Sequence, residues 1–115
     1  MNLRYFNPIE AHDSGYIGEI PQWVPNNLLP YVLYVALGKY SEVKVYGDTY
    51  STPDGTGVRD YIDVNDLVDA HAEAYISCKN SGFTTYNVGT GVWKSVLDVI
   101  HAVENVSGKT VPYVI

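Results

Sequence analysis

The sequence predicts a mixed α/β domain, and three observations support that fold class. Strand-like stretches alternate with helix-like ones along the chain, as in α/β or α+β folds. At 115 residues the chain has the length of one small domain with a modest hydrophobic core. Both ends lie within strand-like stretches without a polar fringe, so we expect a piece of a larger protein.

The first strand-like stretch covers residues 3–7, and Pro8 should end its hydrogen-bond ladder because proline has no N–H. A loop marked by glycine and proline follows, to about Pro25. The string NNLLPYVLYVALGK then predicts a helix with Asn27 as its N-cap and Gly38 just after its end. This helix is apolar nearly all round, so we expect it to be buried on more than one side.

The middle of the chain predicts a strand over Lys44–Asp48 and a turn-rich loop over Tyr50–Gly57. The string VRDYIDV then predicts a strand or extended segment. A helix should follow from about Asn65 to Lys79. Helical spacing gives this helix an apolar face made of Leu67, Val68, His71, Tyr75 and Cys78.

The last part of the chain predicts a strand, a helix and a final strand. The string TYNVG is the first strand, and Ser95 to Asp98 form a capping box that begins the helix. Gly108 should end the helix, and TVPYVI should be the final strand.

Composition and charge exclude several classes of function. A net charge of −6 and a pI near 4.7 argue against a nucleic-acid surface. No apolar run approaches the roughly 20 residues of a membrane span, so no membrane partner is expected. The single cysteine, Cys78, cannot form an internal disulfide, which indicates a reducing compartment and a cytoplasmic protein.

The string NVGTGVWKS has a glycine pattern that partly matches phosphate-binding turns. Gly89 and Gly91 give G-x-G, but Lys94 stands where the dinucleotide fingerprint has its third glycine. Trp93 stands where a phosphate-loop glycine would precede Lys-Ser. We therefore interpret this string as a tight strand-to-helix turn rather than a phosphate cradle.

No catalytic or metal-binding residue is predicted from spacing. The three histidines have no ligand-like spacing with each other or with Cys78. Tyr40/Lys44 and Tyr75/Lys79 have the Tyr-x-x-x-Lys spacing in which a lysine lowers a tyrosine's pKa. The first pair straddles a helix end, and the second has its lysine at a helix C-terminus, so neither is assigned a catalytic role.

Four long strings together resemble the UDP-glucose (UDP-galactose) 4-epimerases, within the extended short-chain dehydrogenase/reductase group. The strings are LRYFNPIEAHDSGYIGE, PNNLLPYV, VYGDTYSTPDGTGVRDYIDVNDL and YNVGTG, and the similarity runs nearly end to end. The resemblance implies an isomerase that oxidises the sugar 4-hydroxyl by hydride transfer to bound NAD and then returns the hydride. It also implies two halves, an N-terminal Rossmann half for NAD and a C-terminal half for the UDP-sugar.

Position by position, the resemblance assigns roles near the cofactor and the diphosphate. It implies that Tyr5 and Phe6 line the nicotinamide end of NAD. It also implies that Asn7 contacts the substrate diphosphate and that Arg59 grips it, a task that suits its planar guanidinium. An ordinary surface pair with Asp60 or Asp54 is the alternative for Arg59.

The resemblance assigns a second group of residues to the nucleotide. Asn27 and Leu28 match a pair at a helix start beside the nucleotide. Lys44, Val45 and Tyr46 match the strand that flanks the uracil, where Tyr46 offers a stacking ring and the backbone offers hydrogen bonds.

Several residues depart from the family pattern. Glu10 stands where the family usually has glycine, and it would be strained if that position has a positive φ. Trp23 replaces a usual glycine, Tyr40 and Ser41 replace a basic-residue and proline pattern, and Asp63 replaces a usual histidine.

Three hypotheses follow. The first is that residues 1–115 are a partial C-terminal, UDP-sugar-binding domain without the NAD-binding Rossmann domain, inactive alone and prone to self-association through exposed apolar surface. The second is a non-catalytic UDP-sugar-binding or protein-interaction relic of the family. A decarboxylase or dehydratase acting on UDP-sugars is the third, and the string PDGTGVRDYI disfavours it.

Overall fold

The computed structural model describes residues 1–78 and 82–115, which contain seven strands and three helices. The mixed α/β fold class predicted from the sequence is confirmed. The described residues divide into two compact units, one made of residues 1–20 and 59–93 and the other of residues 21–58 and 94–115. Among the described residues, no helix combines the length and the apolar character that a membrane crossing requires.

The first unit is built on parallel strand pairs. β1 (Asn2–Tyr5) pairs with β5 (Thr85–Val88) in register from Asn2↔Thr85 to Tyr5↔Val88. β2 (Asn7–Ile9) pairs with β4 (Val58–Asp63), with Asn7 opposite Tyr61. The second sheet has the order β2-β4-β6, where β6 is Trp93–Ser95.

Pro8 does not end the strand pairing, contrary to the prediction. The chain leaves the first sheet after Tyr5 and pairs again from Asn7 in the second sheet, with Pro8 opposite Ile62. β2 is an edge strand of that sheet. An edge strand tolerates proline wherever the missing N–H would face away from the partner strand.

The helix of the first unit, α2 (Val64–Ser77), is more exposed than its apolar face predicted. Asp63 is its N-cap, and the Asp63 side chain accepts a hydrogen bond from the N–H of Asn65 at 2.7 Å. Leu67 is the buried residue of the helix, whereas Tyr75 is 84% exposed. The predicted last residue, Lys79, lies outside the described residues.

The second unit has its own hydrophobic core. It comprises α1 (Leu28–Ala36), α3 (Val96–Ser107) and the parallel pair of β3 (Val43–Lys44) with β7 (Tyr113–Val114). Side chains from all of these elements or their flanking residues form one cluster. Its buried members are Val32, Val35, Val43, Val45, Ile100, Val103 and Val111.

The helix α1 begins and ends where the sequence predicted, but it is buried on one side only. Asn27 is the N-cap, and Gly38 follows the end of the helix at φ +73°. Val32 and Val35 are the buried residues, whereas Leu33 is exposed. The second unit therefore covers one face of this apolar helix.

The capping box of α3 is confirmed. The Ser95 side chain accepts from the N–H of Asp98 at 2.9 Å, and the Asp98 carboxylate accepts from the N–H of Ser95 at 3.0 Å. Gly108 caps the other end at φ +67°. The glycine turn was predicted to lead directly into this helix, and that prediction was wrong. The strand β6 lies between Gly91 and α3.

The strand predicted over Lys44–Asp48 is shorter in the structure. β3 ends at Lys44, although Val45 still donates its N–H to the carbonyl of Val114 at 2.8 Å. The chain then turns at Gly47, whose φ of +99° favours glycine. The final predicted strand is also reduced to Tyr113–Val114.

Candidate functional site

The junction of β1 and β2 places three predicted site residues in consecutive positions. Tyr5 ends β1, Phe6 donates its N–H to the carbonyl of Val88 at 3.0 Å, and Asn7 begins β2. The Tyr5 and Phe6 side chains are 53% and 46% exposed, so the core does not take up these rings. Ligands of α/β sheets bind at the carboxyl ends of parallel strands, and this junction is such an end.

The strand register brings Asn7 and Arg59 to one face of the second sheet. Asn7 lies opposite Tyr61, and directly paired residues share a face. Arg59 precedes Tyr61 by two residues in β4 and therefore projects to the same side. An amide and an exposed guanidinium on one face can together bind an anion such as a diphosphate.

Tyr61 lies directly opposite Asn7 in the register and two residues after Arg59 in β4, and sequence reasoning missed it. Burial raises the pKa of the Tyr61 phenol, and the positive charge of Arg59 opposes that shift. The phenol is therefore neutral at physiological pH and can act as a hydrogen-bond donor. The sequence contained the information needed to find Tyr61. Arg59 and Tyr61 are two residues apart in a predicted extended segment, and residues i and i+2 of a strand share a face.

In the second unit, Asn27 and Leu28 lie at the start of α1. The backbone carbonyl of Asn27 accepts a hydrogen bond from the N–H of Tyr31, but its side chain makes no capping hydrogen bond. Asn27 is exposed, whereas Leu28 packs against the core of the unit. The amide of Asn27 is thus the polar group that this helix start presents to solvent.

The segment Lys44–Tyr46 presents its three residues differently. Val43 and Val45 donate their N–H groups to Pro112 and Val114, so the peptide groups of Lys44 point toward the other edge of β3. The side chain of Val45 is buried in the core. Tyr46 is 85% exposed. The backbone carbonyl of Tyr46 accepts a hydrogen bond from the Tyr50 hydroxyl at 3.4 Å.

The loop after Tyr46 is held by a buried hydroxyl and a carboxylate. Ser95 donates its hydroxyl to Asp54 Oδ2, and Asp54 Oδ1 accepts from the N–H and the hydroxyl of Thr56, both at 2.9 Å. Ser95 and Thr56 are buried. These hydrogen bonds, first that from Ser95, lower the pKa of the Asp54 carboxyl.

The turn that contains Gly89 and Gly91 binds a side chain of the protein itself. The carboxylate of Asp60 accepts hydrogen bonds from Thr90 and Gly91. The Thr90 hydroxyl and then its N–H are the main causes that lower the pKa of Asp60. The backbone N–H groups of Thr90 and Gly91 are therefore engaged by Asp60.

The first Tyr-x-x-x-Lys pair, Tyr40 and Lys44, does not share a helix face. Tyr40 lies beyond the end of α1 and stacks on Tyr31 with ring centroids 4.9 Å apart, whereas Lys44 belongs to β3. Tyr75 projects into solvent, and its partner Lys79 lies outside the described residues.

His71 places Nδ1 2.8 Å from the carbonyl oxygen of Leu67, and the centroid of its ring lies 5.8 Å from that of the Tyr5 ring. Within residues 1–78 and 82–115, no cluster of His, Cys, Asp and Glu could hold a metal ion.

Comparison with known proteins identifies the family. Residues 1–89 match the family described as "NAD dependent epimerase/dehydratase family". The chain belongs to this family.

UDP-glucose 4-epimerases are among its relatives in the family, which confirms the resemblance seen in the sequence. The enzymes of Bacillus subtilis and of Mus musculus are both 56% identical to the chain over 112 residues, or 96% of its length. The crystal structure of the Bifidobacterium longum UDP-glucose 4-epimerase, solved with NAD+ and UDP, superposes with a TM-score of 0.93 at 54% identity. That match covers 97% of this chain, and the chain spans about a third of the length of these relatives.

Proposed function

We propose that this chain is part of a UDP-glucose 4-epimerase, an isomerase that interconverts UDP-glucose and UDP-galactose with NAD in galactose metabolism. The observation that carries the proposal is the combination of 54% identity and a TM-score of 0.93 with an epimerase structure that contains NAD+ and UDP. Residues 1–115 are assigned to the C-terminal, UDP-sugar-binding half, with the NAD-binding Rossmann half supplied by other residues. The lone exposed Cys78 supports a reducing, cytoplasmic location.

In this proposal the first unit binds the diphosphate through Asn7 and Arg59. Both project from one face of the sheet, and a guanidinium binds phosphate oxygens through two parallel hydrogen bonds. Tyr61, opposite Asn7 on the same face, adds a neutral donor. The proposed diphosphate contacts therefore come from two neighbouring parallel strands.

The second unit is assigned contacts with the nucleoside. Tyr46 offers an exposed ring for stacking on uracil, and Asn27 offers a free amide at a helix start. The peptide groups of Lys44 at the open edge of β3 can donate to and accept from the edge of the base. The N–H of Val45 is already used by Val114, whereas its carbonyl accepts from Gly47 and keeps a second lone pair for the base.

The residues of this chain suit the nicotinamide of NAD but not its pyrophosphate. Tyr5 and Phe6 present half-exposed rings at the carboxyl end of β1, which suits the nicotinamide. The Gly89–Gly91 turn does not suit the pyrophosphate, because Asp60 occupies its N–H groups. NAD, when bound, supplies the acceptor for the sugar C4 hydride, and we assign its phosphates to residues outside this chain.

A chimera tests the proposal directly. This chain would replace the 112-residue segment that it matches in the Bacillus subtilis enzyme. We expect the chimera to interconvert UDP-galactose and UDP-glucose, and the 115-residue chain alone to give no turnover with added NAD. Turnover by the chain alone would contradict the assignment to a substrate half.

The second candidate function is a non-catalytic UDP-sugar-binding or interaction module. Glu10 favours it, because a residue at φ +74° stands where the epimerases usually have glycine beside the nicotinamide residues. A folded chimera that binds UDP but gives no turnover would support this candidate over the first.

A further inference from the structure

The carboxylate of Asp60 holds the turn that joins β5 to β6. Its Oδ1 accepts hydrogen bonds from the N–H of Thr90 at 3.0 Å and from the Thr90 hydroxyl at 2.7 Å. Its Oδ2 accepts one from the N–H of Gly91 at 2.8 Å. Successive N–H groups of such a turn form an anion-binding concavity, and here the anion is a side chain of the neighbouring strand.

The same turn contacts Phe6 so closely that a side chain at position 89 would displace the Phe6 ring or the Asp60 carboxylate. A Cβ added to Gly89 would lie 2.2 Å from Phe6 Cδ2 and 2.7 Å from Asp60 Oδ2. The backbone of Phe6 is fixed as well, by its hydrogen bond to Val88. Asp60, the Gly89–Gly91 turn and Phe6 therefore form one contact network within the first unit.

Arg59 is tied to this network through the backbone of β4. Successive side chains of a strand point to opposite faces, so an anchored Asp60 sets the direction in which Arg59 leaves the strand. Hydrogen bonds to an ionised acceptor are about twice as strong as neutral ones, which makes Asp60 an effective anchor.

We propose that Asp60 is a positioning residue for nucleotide binding: it holds β4 against the Gly89–Gly91 turn and thereby orients Arg59 relative to Phe6. The inference rests on the proposed function, in which Arg59 binds the diphosphate and Phe6 lines the cofactor. In this inference Asp60 acts through Arg59 and Phe6, since its carboxylate oxygens are engaged by Thr90 and Gly91. The hydrogen bonds that lower the pKa of Asp60 also keep it ionised at neutral pH, so that it accepts from all three donors.

The test compares the affinity of the chimera for UDP and for uridine by isothermal titration calorimetry. Asp60→Asn removes the charge, and Thr90→Val removes the hydroxyl donor while keeping the shape of the side chain. We expect each to weaken UDP binding about tenfold and to leave uridine binding unchanged, since uridine has no diphosphate for Arg59 to contact. Thr90→Ser keeps the donor, and this variant should bind both ligands as the unsubstituted chimera does.

The outcomes separate the inference from the function on which it rests. Unchanged UDP affinity in Asp60→Asn would overturn the inference, and so would an equal loss for UDP and uridine, because a purely structural role predicts that pattern. A chimera without substitutions that binds no UDP would contradict the proposed function, and the inference would then fall with it.

Discussion

At the scale of single residues, Glu10 is the departure from the family pattern that has a strained backbone conformation. Glu10 has φ +74°, as predicted from the glycine that the epimerases carry there, and it is the one non-glycine residue with positive φ in the described part of the chain. For a residue with a Cβ, this conformation costs about 1 kcal/mol. The strain lies three residues after Asn7, beside the proposed diphosphate contact.

Glu10→Gly should therefore stabilise the chain or leave its stability unchanged, although glycine adds freedom to the unfolded state. Relief of the strain is worth about 1 kcal/mol, or a few degrees in melting temperature. Glu10→Ala is the matched control, since it removes the carboxylate but keeps the strained Cβ. A clear drop in the melting temperature of Glu10→Gly would show that this conformation is not strained.

Gly55 has a stricter requirement than Glu10, because space and φ both exclude a side chain. Its φ is +76°, and a Cβ there would lie 1.9 Å from the carbonyl oxygen of Asp48. We expect Gly55→Ala to lower the free energy of unfolding by about 2–3 kcal/mol in urea denaturation. Gly57→Ala is the control, because no atom lies within 4 Å of its Cβ and the change should be nearly neutral. Equal effects of the two substitutions would contradict this explanation.

Arg59→Ala should weaken UDP binding in the chimera by about 2–4 kcal/mol, because it removes a charged, bidentate contact with the diphosphate. Arg59→Lys keeps the charge without the planar fork and should recover part of the loss. Isothermal titration calorimetry with UDP measures both variants. Unchanged UDP affinity in Arg59→Ala would remove Arg59 from the proposed site.

At the scale of elements, two carboxylates fasten loops to the ends of regular structure. Asp54 fastens the loop that precedes β4 to Ser95 at the start of α3, and Asp60 fastens the Gly89–Gly91 turn to β4. The departure at Asp63 has a similar explanation, because aspartate is among the best N-cap residues and here it caps α2.

These two carboxylates predict a loss of stability in acid. Hydrogen bonds lower both pKa values below the ordinary 3.8, so the folded state binds protons more weakly than the unfolded state. The stabilisation is therefore complete above the unfolded-state pKa of about 3.9 and is lost as the pH falls through the lower folded-state values. Melting temperatures measured from pH 6 to pH 2.5 should fall steeply below about pH 4.

Asp54→Asn and Asp60→Asn should each make that fall in melting temperature shallower and lower the stability at neutral pH. Asp13→Asn is the control, because it removes the same charge from an exposed residue outside both hydrogen-bonded loops. The explanation fails if the Asp54→Asn and Asp60→Asn variants follow the same pH curve as Asp13→Asn.

At the scale of the whole molecule, many large apolar side chains of the chain are exposed. α2 carries three large apolar residues that are more than half exposed, Val68, Tyr75 and Ile76. All-parallel sheets normally have both faces covered, yet Tyr5 and Tyr86 of the β1–β5 pair are also exposed. Large exposed apolar patches promote association.

We expect the chain to self-associate, so that its mass-average sedimentation coefficient rises with concentration. Ile76→Lys should reduce the association, because it places a charge within the exposed face of α2. Val106→Lys is the control, since Val106 is an exposed residue of α3 in the other unit. A chain that sediments as a monomer at all concentrations would contradict this prediction.

The sequence by itself determined what depends on local chemistry. The capping box at Ser95, the stops at Gly38 and Gly108 and the family were all predicted correctly, because caps and long specific strings depend on neighbouring residues. The nine proposed ligand contacts also came from matching strings, and they stay predictions.

Only the tertiary structure decided what depends on residues distant in the sequence. Pro8 remains in a strand because β2 is an edge strand. The helix α1 is buried on one side because the core of its unit contacts one face of the helix. The Gly89–Gly91 turn binds Asp60, which lies about thirty residues earlier in the sequence. Local propensity carries no information about such partners, because strand register and packing bring them together only when the chain folds.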